Sequence, residues 1–325
     1  MKINSENIKE KIQEAKPNLK ENSIKQYEIH LNKLKKLFDT DNYDFLSEPE
    51  DVMDKIKGNH YTSQRNTLNA VIILLLALNS DNKYDELIEK YQKVRDKFNQ
   101  QYIDSNENGK VSDSQKNNFV ELSEIQNMLK KMESEIKSSG LKKKTNLSGK
   151  EKELMMVYTI FSFLIKYPLR LDLAGMKYIS KTEYNSLSEQ NKKDGNYLVH
   201  NKKGTQFLEA ILNEYKTSKK YGEKKIRIDK DIEKILRMYI KSTGKEFGDV
   251  LFVSSTGNAL SRNQLSQLLI KTTKKYLNKS ISTTMMRKIV VSSVIPKEVL
   301  DKQKELADVM GHDVATQNLI YNKEM

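Results

Sequence analysis

The stretch DSNENGKVSDSQKNN, residues 104–118, divides this chain. Ahead of it, apolar residues recur at steps of three and four, the period of an amphipathic helix. Within it the period vanishes, and Ser, Asn, Asp and Gly dominate, residues that favour turns and solvated backbone. Beyond it the pattern is mixed, with short apolar runs set among further helices. A length of 325 residues suffices for two bodies, each with its own core. The expected organisation is a helical domain over 1–103, a linker over 104–118 and a larger domain over 119–325.

In NSIKQYEIHLNKLKKLF, the residues Ile24, Tyr27, Leu31, Leu34 and Phe38 share one helical face, with Asn22 or Ser23 as the cap. Thr62 and Ser63 precede a helix carrying Leu68, Val71, Ile72 and Leu75. Asp81 precedes a stripe of Tyr84, Leu87, Tyr91, Val94 and Phe98. Four or five helices with short polar connections make a small all-α bundle. The longest apolar run, AVIILLLAL at 70–78, is too short for a bilayer and reads as a core helix. MKINSENIKEKIQEAKP is polar and is no secretory signal. A soluble intracellular protein is expected. With no cysteine, the chain has neither a disulfide scaffold nor a thiolate metal site.

In the second part, Ser123 and Gln126 have the spacing of a capping box ahead of a helix through Met132 and Ile136, and GLKKKTNLSGKEK reads as a loop. LMMVYTIFSFLI is a buried helix stopped by Pro168. MKYI, NYLVH, TQFLEAIL and KKIRI are short strands, with SKKYGEK turning between the last two. Helices resume at KDIEKILRMYIKS, SRNQLSQLLIKTTKKY, TTMMRKIVVSSVI and PKEVLDKQKELADVM. The expected fold class is mainly α with a small antiparallel sheet (α+β).

The net charge of +13 favours a polyanionic partner, nucleic acid first and an anionic membrane surface second, although solvating lysines would also account for it. Of the 57 basic residues only seven are arginine: 65, 95, 170, 227, 237, 262 and 287. Where generic charge suffices this chain uses lysine, so its arginines are candidates for sites needing a planar, bidentate fork. Arg170 stands two residues after Pro168, where an ion pair with Asp172 would equally explain it. Arg287 lies beside a stripe of Met286, Val290 and Val294, an unfavourable place for a charge without an anionic partner. Thr284 precedes it by one helical turn. Lys216 falls at the mouth of the hairpin, where a solvated turn lysine is the plainer reading. In LADVMGHDVATQNLIY, Gly311 suits a left-handed C-cap, Asp313 caps a new helix, and His312 sits in the corner between them. Tyr321 follows nine residues after that histidine. On their own, a corner histidine reads as structural and a terminal tyrosine as a packing anchor.

Arginine after a helix break, lysine on a hairpin, a second arginine on a helix, Gly-His and then tyrosine: in this order the residues resemble the tyrosine recombinases, the phage-integrase family. YPLRLDLAGM is similar to the family's first box and LADVMGHDVATQNLIY to its last. The Pro-Leu-Arg-x-Asp form looks most like recombinases of large eukaryotic DNA viruses and related mobile elements. The resemblance covers roughly 115–325. It implies a helical DNA-clamping domain followed by a catalytic domain, a homotetramer on double-stranded DNA, and strand cleavage without metal or ATP. It implies that Arg170 and Arg287 clamp the scissile phosphate, Lys216 is the general acid, His312 assists at the phosphate and Tyr321 is the nucleophile. Thr284 stands where the family usually has His or Lys, and a hydroxyl is neither acid nor base near neutrality. Lys219, Lys220, Lys224, Lys225, Lys274 and Lys275 are candidate DNA contacts. The alternatives are a type IB topoisomerase, which shares the chemistry without pairing sites, and a catalytically silent, sequence-specific DNA-binding protein.

Overall fold

The computed structural model describes residues 7–107, 113–144, 146–202, 207–311, 313, 314 and 318. The chain divides into two units, 1–110 and 111–325.

Five helices form the first unit among its described residues: α1 (Ile8–Ala15), α2 (Glu21–Leu37), α3 (Pro49–Ile56), α4 (Tyr61–Ala77) and α5 (Asp85–Glu107). α4 is apolar all round over residues 70–77 and packs against α1, α2 and α5. Leu31 and Leu34 from α2, Leu68, Val71 and Leu75 from α4, and Tyr91 from α5 are all buried in this core. Burial of the Tyr91 phenol is satisfied by a 3.0 Å hydrogen bond that it donates to the Leu46 carbonyl. The helix starts differ from expectation. Lys20 rather than Asn22 or Ser23 precedes α2, and His60, accepting from the Thr62 amide, caps α4. Both helices thus begin ahead of the polar residues expected to cap them, and the added residues 21–23 and 61–63 are exposed or half-buried. α5 likewise runs to Glu107, into the segment expected to be a linker, held on its polar face by bonds such as Gln100 to Asp104 at 2.8 Å.

The second unit begins with a single turn, α6 (Asp113–Lys116), then α7 (Leu122–Ser138) and α8 (Gly149–Lys166). The box at the start of α7 sits two residues ahead of the expected pair, with Glu124 accepting from the Glu121 amide at 3.2 Å. That start buries Ile125, Met128, Met132 and Ile136 on one side. α8 is the core helix. Residues Met155 to Leu164 are all buried, and it packs against α7 and three later helices.

Four strands follow: β1 (Lys177–Ser180), then α9 (Lys181–Ser186) and α10 (Glu189–Lys193), then β2 (Asn196–Asn201), β3 (Phe207–Leu212), the turn α11 (Ser218–Tyr221) and β4 (Lys224–Arg227). The sheet order is β1-β2-β3-β4. It is mixed rather than wholly antiparallel, because β1 and β2 run parallel. Parallel neighbours need a crossover, and α9 and α10 provide it. The outer side of β1 is covered by residues 248–251, with Leu251 donating to Met176 at 2.8 Å. The chain closes with α12 (Lys230–Thr243), α13 (Arg262–Leu277), α14 (Thr283–Val294) and α15 (Lys297–Met310). On α14, Met286 and Val290 are buried as expected, whereas Val294 is 71% exposed because the helix projects beyond the core over its last turn. Gly311 ends α15 at φ 73°, the left-handed cap that glycine adopts without strain. No helix among the described residues is long and apolar enough to cross a membrane.

Candidate active site

The site begins where α8 ends. Tyr167 leaves helical geometry at φ −125° and ψ 92°, and Pro168 has no N–H with which to continue the helix. The Tyr167 ring packs on Phe163, and its hydroxyl accepts a 2.7 Å bond from the Asp229 amide. The exit of the chain is thereby tied to the junction of β4 and α12, which sets the course of residues 168–172.

α14 approaches the same turn. Its cap is Ser282, accepting from the Met285 amide, and Met285, Met286, Ile289 and Val290 bury its inner face. This anchoring leaves Arg287 half-buried at the edge of the core, where its Nε–H donates to the Pro168 carbonyl at 3.0 Å. Residues 119 positions apart are thus joined directly.

Arg170 and Arg287 line one cavity of about 580 Å³. Asp172 stands in its wall, 5% exposed. From the β3–β4 hairpin come Tyr215, Thr217, Tyr221, Glu223, Lys224 and Lys225. The hairpin keeps its shape through a bond from the Tyr215 hydroxyl to the Gly222 carbonyl at 2.8 Å. Gly222 lies at φ 68° and ψ −155°, a region that a side chain would make strained.

The electrostatics of the cavity favour an anion. The Arg287 guanidinium is held below the ordinary arginine value, first by burial and then by the like charge of Arg170, with Asp172 opposing. The Asp172 carboxyl is raised by burial, against the pull of Arg262, Arg170 and Arg287. Glu223 is committed to Lys225 at 2.7 Å and accepts from the Tyr184 hydroxyl. That leaves an excess of positive charge facing the cavity, a state that an entering anion relieves. Two guanidinium forks lining one cavity suit a tetrahedral oxyanion such as phosphate.

The other expected residues fall as follows. Lys216 is exposed and directly follows Tyr215, at the foot of the hairpin whose later residues line the cavity. Thr284 is exposed on the first turn of α14 and is not among the lining residues. His312 and Tyr321 lie outside the described residues. Lys224 and Lys225 line the cavity, whereas Lys219 and Lys220 occupy the exposed turn α11 beside it. Lys274 and Lys275 stand on the last turn of α13 and do not line this cavity; Lys275 lies over the Tyr276 ring at 4.7 Å. Arg262, to which the sequence assigned no role, reaches Asp172 at 3.7 Å and the Glu214 carbonyl at 3.1 Å. Its membership in the small arginine set was the one sign available. Among the described residues, no group of three or more His, Cys, Asp or Glu is placed to hold a metal ion.

No family model matches the chain, and no curated protein matches it. Among solved structures it is similar to XerA recombinase, at 13% identity and a TM-score of 0.35, over 98% of this chain and 94% of that one. It is also similar to the XerH site-specific recombinase in a pre-cleavage complex with its difH substrate, at 12% identity and a TM-score of 0.38, over 98% of this chain and 91% of that one.

Proposed function

We propose that the chain is a site-specific DNA recombinase or integrase, cutting and rejoining double-stranded DNA through a 3′-phosphotyrosyl intermediate. The observation that carries the reading is Arg170 and Arg287 lining one cation-rich cavity, with Arg287 bonded to the Pro168 carbonyl two residues before Arg170. In this reading the scissile phosphate enters the cavity and accepts both forks. Tyr321, as phenolate, attacks phosphorus; its O–P bond forms as the bond to the 5′ oxygen breaks. Lys216 supplies the proton to that leaving oxygen, and His312 assists at the phosphate. Charge on the non-bridging oxygens grows toward the transition state, which is where fixed guanidinium groups contribute most. The ester formed resembles the one broken, so the reverse attack by a DNA 5′-hydroxyl reseals the strand with no added energy source.

Exchange between two duplexes requires four protomers, two per site, and we assign DNA contacts to the first unit as well as to the catalytic one. The Pro-Leu-Arg-x-Asp form supports a place among the recombinases of large DNA viruses and related mobile elements.

The test is incubation with a pool of nicked suicide duplexes followed by a denaturing gel. The expected result is a DNA-linked protein band that is lost in Tyr321→Phe. Duplex bound without any adduct would replace the enzyme with a silent DNA-binding protein. Relaxation of supercoiled plasmid by a monomer would favour the topoisomerase.

A further inference from the structure

Asn196 opens β2 and is 4% exposed. Its side-chain NH2 donates to the Asp172 carbonyl at 2.9 Å and to the Glu214 carbonyl at 3.0 Å. Its Oδ1 accepts from the amides of Asn213 at 3.0 Å and Glu214 at 2.9 Å. A primary amide has two donors and two acceptor lone pairs, and here all four are used on backbone. The β2–β3 ladder ends at the pairing of Asn196 with Leu212. Beyond that point the chain at 213–214 has no strand to pair with, and the asparagine amide takes the place of one.

The two segments so joined are the ones that matter to the proposed chemistry. Asp172 lies two residues after Arg170, and Glu214 lies two residues before Lys216. Arg262 braces the same junction from outside, bonding the Glu214 carbonyl and approaching the Asp172 carboxylate at 3.7 Å. Asn196 spans the loop of a phosphate-binding arginine and the turn of a proton-donating lysine.

We propose that Asn196 is a positioning residue that sets the separation between the Arg170 guanidinium and the Lys216 ammonium, with Arg262 as an outer brace. The inference rests on the recombinase reading. It places the specific burden on proton transfer, because Lys216 hangs from an exposed turn whereas the segment leading to Arg170 is also held at the Pro168 carbonyl by Arg287.

The experiment uses the full chain and a duplex that the wild type cleaves, made with either oxygen or sulfur at the bridging 5′ position. A thiolate leaves without protonation, so the sulfur substrate does not need the lysine. Asn196→Ala is expected to slow adduct formation on the oxygen duplex by roughly 100-fold, the scale of a misplacement near 1 Å. On the sulfur duplex it is expected to recover nearly the wild-type rate. Equal slowing on both duplexes, or on neither, overturns the proposal. Circular dichroism and duplex binding report whether the variant has folded. Should it not fold, Arg262→Ala decides, with a smaller loss confined to the oxygen duplex expected and any unselective result counting against the idea. A wild type that forms no adduct on either duplex would instead overturn the recombinase reading itself, and the positioning role with it.

Discussion

Arg287→Lys separates the two things an arginine brings, charge and shape. The substitution keeps a cation in the same half-buried place beside Arg170, so the burial and the like charge that hold the Arg287 guanidinium down act on its replacement too. What goes is the planar fork and the Nε–H that donates to the Pro168 carbonyl at 3.0 Å. On stability, a hydrogen bond from a charged donor is worth about 1.5–3 kcal/mol, and losing it lowers the melting temperature by a few degrees. On rate, one fixed donor to a developing oxyanion is worth about 100- to 1,000-fold, or roughly 3–4 kcal/mol. A flexible ammonium recovers part of the charge effect but none of the bidentate geometry. Single-turnover adduct formation on a suicide duplex should therefore fall by about 100-fold or more, while affinity for the uncut duplex changes little. Thermal melting of the same preparations reads the stability change separately. Cleavage by the lysine variant at close to the wild-type rate would refute the reasoning, because charge without fork geometry would then suffice.

Asp172→Asn tests the buried carboxyl. Burial raises its value above the ordinary 3.8, so the folded chain holds this proton more tightly than the unfolded chain does. The stability tied to that proton is full at pH below 3.8 and is lost as pH rises through the higher folded value. The asparagine variant lacks this loss, so urea titrations across that window should show its stability relative to wild type climbing with pH; a relative fall would contradict the assignment. Duplex binding should weaken steeply with salt, and Lys224→Ala should reduce the log–log slope by about one. Lys225→Ala should change the slope less, because Lys225 already pairs with Glu223 at 2.7 Å. Equal effects would show that the Glu223 pair opens on DNA.

Much of the fold can be read along the chain because it depends on near neighbours. The spacing of Ile24, Leu31 and Leu34, the apolar run of α8, its stop at Pro168 and the cap at Gly311 all rest on residues within a few turns of each other. Helix starts were less legible. Asn22, Ser23 and Ser123 have side chains able to cap, yet α2 and α7 begin ahead of them, after Lys20 and Glu121, the second with a reciprocal bond between Glu121 and Glu124. The parallel pairing of β1 with β2 also escaped, since two short strands look alike in sequence whichever way they run.

For the site, the residue types were visible and most of their partners were not. Scarcity marked Arg170 and Arg287 as unusual, and motif order suggested Lys216, His312 and Tyr321. Nothing along the chain indicated that Arg287 would bond the Pro168 carbonyl, or that Arg262 would reach Asp172. Asn196 carried no signal at all, because its four bonds go to backbone atoms whose positions exist only once the sheet and the α8 exit have formed. Local sequence determined the helices, their ends and the stock of charged groups. Tertiary structure alone decided which of those groups share a cavity, because hydrogen bonds and charge pairs act over a few ångströms of space regardless of separation along the chain.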